Sequence, residues 1–305
     1  MADMTDSENW SIFITESVKG VVQVNSINLS EGSTFLKSHF KPLVMLLRLL
    51  CMSLFFSGAN AGLNCMVAPG NLKQIDAGNG DVYGVNDDGN IYRWNVNNWE
   101  QVPGQLMHVT AGPAGVWGVN KANTIFKLQE GTWMAVTGLL KQVDAGGNQF
   151  LAGVNGLDMI YCLNQMYTNS KSSVTPFTYI DGSLKYYSCG PLGCWGVNSG
   201  NNIYYRYSTT LSACQGSNWK YIEGSLVMVE VGTDGSVYGV SPEGNVYTRM
   251  GIDAKNPIGT TWEQLDFCSN FKHVTYDAGT LWLLTKKGDI FKCTVTGSPV
   301  PTKLS

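Results

Sequence analysis

From residue 72 onward, apolar residues alternate with polar ones in short runs, and each run stops at a turn signal. The first set reads Leu72-Lys-Gln-Ile-Asp-Ala-Gly78, then Val82-Tyr-Gly-Val-Asn86, then Asn90-Ile-Tyr92, then Trp99 followed five residues later by Gly104. The set restarts at Leu106, Leu140, Leu184, Leu226 and Phe271. Asn79-Gly80, Asp88-Gly89, Gly146-Gly147, Asp234-Gly235 and Glu243-Gly244 separate the runs. Period-two runs rich in Val, Ile, Tyr and Trp, bounded by Gly, Asn and Asp, predict strands joined by tight turns. The first two spacings, 34 residues each, also match paired-helix repeats, but the residue pattern rejects them. Four strands per unit in six units predict an all-β protein, a six-bladed β-propeller.

The outermost strands align at Trp99, Trp133, Phe177, Trp219 and Trp262. The sixth unit has runs at 272–275, 281–285 and 290–293, and then no fourth run. Cys65 stands five residues before Gly70, the spacing of Trp99 to Gly104. The strand around Cys65 is therefore expected to complete the last blade and close the ring, removing the open edges. The extra length of units three, four and five falls between third and fourth strands, at 165–175, 208–217 and 251–260. Equivalent connections leave a propeller on one face, so these loops are displayed together, where binding function concentrates.

Ahead of the repeats, residues 43–56 are apolar with Arg48 as the sole charge, and Ser57-Gly-Ala-Asn-Ala61 follows. A short apolar run ending in a small-residue A-x-A pattern reads as a secretory signal, too short to be a membrane anchor. Met45 is a natural start for it. The expected organisation is an extension over 1–44 without stable structure, a signal peptide over 45–61, and the propeller over 63–305. The extension carries two sequons, Asn9-Trp-Ser11 and Asn28-Leu-Ser30.

Secretion changes the meaning of the cysteines, because an oxidising compartment favours disulfides. The repeat register puts Cys293 on the third strand of the last blade and Cys65 on the strand completing it, so the two are expected to bridge. Cys189 and Cys194 flank Gly-Pro-Leu-Gly and face each other across a hairpin. Cys162 with Cys214 links the long-loop region of blades three and four, and Cys268 is left over, either to join two copies in a homodimer or simply to be buried. Other pairings among Cys162, Cys189, Cys194 and Cys214 remain open at this level.

Charge works by exclusion. A net charge of −3 with 14% charged residues lacks the basic patch that nucleic acid requires. His108 and His273 fall at the third position of the first strands, where Gln74, Gln142, Tyr186 and Met228 stand elsewhere, so they read as repeat variants rather than ligands. The fifth position reads Asp76, Thr110, Asp144, Ser188, Glu230 and Thr275. If these side chains face the axis, Asp76, Asp144 and Glu230 form a ring of oxygen ligands suited to a hard cation such as Ca²⁺. The competing reading is acids bonded to backbone or water, with no cofactor.

Leu140-Lys-Gln-Val-Asp-Ala-Gly146, Gly153-Val-Asn155, Ile160-Tyr161 and the Trp-x-x-x-x-Gly element resemble tectonin repeats. With Tyr186-Tyr-Ser-Cys-Gly-Pro191 and Cys194-Trp-Gly-Val-Asn198, the chain is similar to the fish-egg lectins over residues 63–293. That resemblance implies six blades, non-enzymatic binding of N-acetylglucosamine or related sugars on bacterial or egg-surface glycans, and a role in egg or innate defence. It also implies a cysteine near Leu284, absent here, as the partner of Cys268. The sixth unit departs further, with Leu281-Trp-Leu-Leu-Thr285 in place of the Gly-Val-Asn pattern.

Two faces offer groups for a sugar. The second-to-third-strand turns carry Asn86, Asp88, Asn120, Asn155, Asp158, Asn198 and Asn201, which tight turns usually consume for their own backbone. The opposite face carries Tyr167, Asn169, Asp253 and Asn256 on the long loops, and Asp277 where five other units have Gly. These five are the candidate carbohydrate-binding residues. Repeated weak sites would add avidity. A propeller hydrolase requires convergent channel acids or an Asp-box, and no Asp-box is found. An intracellular protein-interaction scaffold is the other alternative, which the signal and the cysteines oppose.

Overall fold

The computed structural model describes residues 11–18, 21–28, 62–147, 149–210, 213–267 and 269–296. The segment 45–61, expected to be a signal peptide, and Cys268 lie outside the described residues. Two units divide the chain, 1–50 and 51–305. In the first, Ser11–Val18 and Val21–Asn28 pair as an antiparallel hairpin.

The second unit is the propeller, six four-stranded antiparallel sheets. Blade one runs Gln74–Gly78, Asp81–Val85, Asn90–Asn95 and Asn98–Gln105, each strand pairing with the next. The first strands of the other blades are His108–Gly112, Gln142–Asp144, Tyr186–Gly190, Met228–Val231 and Phe271–Asp277. Successive first strands touch, and the sixth touches the first, so they line the axis as a closed ring. Blade six is Phe271–Asp277, Thr280–Thr285, Ile290–Thr296 and, from the front of the unit, Gly62–Ala68. Cys293 faces Cys65 in that pairing and the two are bonded. Cys189 faces Cys194 across the expected hairpin and Cys162 joins Cys214, so all three expected bridges form.

The repeat residues explain the packing. A Cβ on Gly84, Gly118 or Gly196 would stand 2.3–2.5 Å from a Cδ of Leu72, Leu106 or Leu184. Each repeat's opening leucine therefore fills the space above its own Gly-Val-Asn glycine, a contact too close for any side chain. Blade six breaks both halves together. Phe271 replaces the leucine and turns its ring to Phe267 and Phe291, 5.3 and 5.8 Å away, and Leu283 replaces the glycine.

The Asn of the same motif shapes the turn that follows. Asn86, Asn120, Asn155 and Asn198 accept the N–H of Asn90, Thr124, Met159 and Asn202 on their side-chain oxygens, at 2.8–3.0 Å. Asp158 pairs with Lys141, and Asn201 accepts from Lys185. These polar turn residues serve their own face of the disc, as expected of Asx turns.

Candidate functional site

Side chains at the fifth position of the first strands form a belt around the axis. Five of the six take a backbone N–H from the next blade: Asp76 from Ala111 at 2.8 Å, Thr110 from Ala145 at 2.9 Å, and Asp144 from Cys189 at 2.9 Å. Ser188 takes Val231 at 3.0 Å, and Thr275 closes the ring by taking Ala77 at 2.9 Å. Hydroxyls also donate to the acids, Ser188 to Asp144 and Thr275 to Asp76. Glu230 is one methylene longer and lies within hydrogen-bonding reach of Asp76, Ser188 and the Tyr186 phenol.

All three acids are buried. Desolvation raises Asp76 to about 6 and Asp144 to about 8, the latter also under the Asp76 charge. Burial and the other two carboxyls push Glu230 well above its ordinary range. Two carboxyls within hydrogen-bonding reach need a proton between them, so the cluster holds protons near neutral pH. Among the described residues, no group of three or more His, Cys, Asp or Glu side chains is placed to hold a metal ion. The backbone-bonded reading of these acids fits this arrangement.

The third-position side chains form a second layer. Gln74 bonds both the N–H and the C=O of Val109, at 3.0 and 2.8 Å. Gln142 does the same to Tyr187, at 3.1 and 2.9 Å. Tyr186 sits between His108 and His273, with ring centroids 5.9 and 6.0 Å away. Both His108 nitrogens and His273 Nε2 are buried without a partner. Desolvation lowers His108 to about 3 and His273 to about 4, so both are neutral packing groups near neutral pH. Replacing His108 with Gln, the residue of blades one and three, should let the amide bond the next blade's backbone. The expected gain is about 1–2 kcal/mol, seen as a higher thermal midpoint. An unchanged or lower midpoint would show that the imidazole is better satisfied than these contacts indicate.

The opposite end of the blades carries the three long loops, and a cation pins each one. Lys127 of blade two donates to the carbonyls of Thr168 and Ser170 in the blade-three loop, with its ammonium 5.4 Å from the Trp117 ring centre. Arg206 Nε donates to Gln215 O at 2.9 Å and its guanidinium stacks 4.9 Å over Trp219. Arg249 Nε donates to Ile258 O at 2.8 Å, 5.2 Å over Trp262. Carbonyl anchors plus aromatic stacking hold the loops to the scaffold. These pins were not legible in the repeat pattern. Their signal is cationic residues at the outer end of third strands with a Trp on a neighbouring strand.

The five candidate residues separate in this frame. The blade-three loop opens with a helical turn, Gln165–Thr168, which the strand pattern does not predict. Tyr167 on that turn packs half-buried against the cluster containing Trp117, and Asn169 just after it is exposed. Asp253 Oδ1 accepts the N–H groups of Lys255 and Asn256 at 2.7 and 2.8 Å, and Asn256 donates to Gly251 O at 3.2 Å. Those two side chains shape the blade-five loop. Asp277 is buried, accepts Gly80 N–H of blade one at 2.7 Å, and accepts the Thr233 hydroxyl of blade five. It replaces a glycine because it ties three blades together at the closure. The loops share a face, while no described contact brings the five side chains into one cluster.

Similarity to known proteins agrees with this architecture. The Tectonin domain family matches residues 71–286. Fish-egg lectin of Cyprinus carpio is 56% identical over 238 residues, spanning 77% of this chain and 100% of that protein. The Perivitellin-2 31 kDa subunit of Pomacea maculata is 37% identical over 82 residues, 26% of this chain and 29% of its own length. Among solved structures, YCF48 bound to D1 peptide overlays with a TM-score of 0.50 at 15% identity, covering 75% of this chain and 79% of that one, a likeness of fold alone. With six blades built on the Leu/Gly-Val-Asn/Trp repeat and a match running the full length of the carp protein, the chain belongs to the tectonin family, together with the fish-egg lectins.

Proposed function

We propose that this protein is a secreted, non-catalytic lectin that binds N-acetylglucosamine-type or related sugars on bacterial or egg-surface glycans, in egg or innate defence. The observation that carries the reading is the 56% identity over the whole of the carp lectin. The cation-pinned loops supply a rigid display surface, with Asn169 exposed at the end of its helical turn and Tyr167 beside it. Asp253, Asn256 and Asp277 act in the proposal by holding that surface. The bridges Cys65–Cys293, Cys162–Cys214 and Cys189–Cys194 fit an extracellular setting. Among the described residues no helix is long and apolar enough to cross a membrane.

A glycan array probed with the purified protein tests the reading. Retention on N-acetylglucosamine-bearing glycans, without release of product, is the expected result. An array with no retained glycan would overturn it and point to a protein partner.

A further inference from the structure

Two blades carry the same four-residue row across their strands. In blade two, Thr110, Trp117, Lys127 and Met134 stand side by side, and in blade six the row is Thr275, Trp282, Lys292 and Met66. Each row faces the next blade, so the two are internal controls for each other.

In blade two the row is covered. The blade-three connection from Asn164 to Phe177 lies over it, Tyr167 packs against the Trp117 cluster, and the Lys127 ammonium is received by two backbone carbonyls. Lys127 is only 9% exposed. In blade six the neighbour is blade one, whose third and fourth strands are joined by Val96-Asn97 alone. That turn is too short to cover anything. Met66 is 62% exposed. The Lys292 ammonium, 5.5 and 5.4 Å from the ring centres of Trp94 and Trp282, has no hydrogen bond or ion pair to any described residue.

Blade one also changes what faces the row. Where blade three has Leu163 and Phe177, blade one has Trp94 and Trp99, both half-buried. Trp94, Trp99 and Trp282 form one edge-packed group, with centroids 5.1–6.1 Å apart. The Trp99 Nε1 donor is buried and unpartnered. The seam thus offers indole surface, an exposed Met and a cation lacking the oxygen acceptors that its twin possesses.

We propose that this seam is a binding subsite for a saccharide carrying an anionic oxygen group, a carboxylate or a phosphate. The apolar C–H face of the ring lies on Trp94 and Trp99, and the anionic oxygens take the place at Lys292 that the Thr168 and Ser170 carbonyls fill at Lys127. Few polar groups on an aromatic wall is the usual make-up of a small-ligand site. A charge-assisted bond to an ammonium is stronger than a neutral one and is screened by salt. The subsite rests on the lectin reading and adds a class of sugar to it.

The test measures binding of N-acetylglucosamine, glucose, glucuronic acid and glucose 6-phosphate to the full chain at low and physiological salt. Wild type, Lys292→Met, Trp94→Leu and Lys220→Met, the last an exposed lysine on the fourth strand of blade four, are compared, each checked by thermal unfolding. Trp94→Leu installs the residue that blades two and three carry at that position, so folding is expected to survive. The acidic sugars should bind roughly tenfold tighter than glucose at low salt, with the ratio shrinking as salt rises. Lys292→Met should remove the preference, Trp94→Leu should weaken acidic-sugar binding, and Lys220→Met should change neither. The two acidic probes separate carboxylate from phosphate. A preference that persists in Lys292→Met overturns the proposal. N-acetylglucosamine binding with no preference for either acidic sugar overturns it while leaving the lectin reading in place. No binding of any sugar removes both.

Discussion

Replacing Cys65 and Cys293 together by serine is expected to cost about 3–5 kcal/mol, lowering the thermal midpoint on the order of 10 °C for a domain of this size. The bond spans 228 residues and joins the two ends of the ring. Without it, the blade-six closure depends on strand pairing between Gly62–Ala68 and Ile290–Thr296, Asp277's bond to Gly80, and Thr275's bond to Ala77. Opening that pairing exposes strand edges that other chains can join, so aggregation on heating should accompany the loss. Serine at Cys189 and Cys194 is the comparison, because that bond closes a separation of only 5 residues inside one hairpin. The chain-entropy account gives it about 2 kcal/mol. Circular dichroism melts of the two double variants decide the point. Equal losses would mean that the seam is no weaker than the rest of the ring.

The second large effect is on pH dependence. Asp76, Asp144 and Glu230 have pKa values raised by folding, so their contribution is fully present below the unfolded value near 4. It declines as pH rises toward about 6 for Asp76 and about 8 for Asp144. The histidines act in the opposite sense. His108 and His273 are held neutral to about 3 and 4, so their stabilisation is lost as pH falls from about 6.5 toward those values. The two trends overlap below pH 6.5 and separate above it, where the histidines are neutral in both states. Between about pH 6.5 and 8.5, stability should therefore fall by about 2 kcal/mol.

Glu230→Gln removes one of the three interacting carboxyls and should flatten that fall. The groups facing Glu230 are Asp76, Asp144, Ser188 and the Tyr186 phenol. Asp144→Asn keeps an acceptor for Cys189 N–H and serves as a second probe of the same slope. Urea unfolding at several pH values measures it. Identical slopes in wild type and both variants would show that the channel carboxyls do not carry the effect.

The repeat pattern alone placed Cys65 opposite Cys293 and Cys189 opposite Cys194, because strand pairing in a propeller follows from local turns and a closed ring. It also distinguished the self-bonded turn Asn residues from the loop face. The candidate side chains were less legible. Asp277 stood out as a replacement of glycine, yet its two partners lie on blades five and one, 44 and 197 residues away in sequence. The helical turn at Gln165–Thr168 escaped the pattern because one turn carries no periodicity to detect.

Sequence by itself determined the number of blades, their register, the closure and the Cys65–Cys293 bridge, since each follows from short-range alternation that recurs in every unit. Only the tertiary structure decided which polar groups are already satisfied. Lys127 and Lys292 occupy identical rows, and no local feature distinguishes them. The neighbouring blade does: one ammonium meets the carbonyls of a long loop, and the other lies over the indoles of Trp94 and Trp282 beside a two-residue turn. Hydrogen-bond satisfaction belongs to the space between blades, and a one-dimensional pattern carries no record of that space.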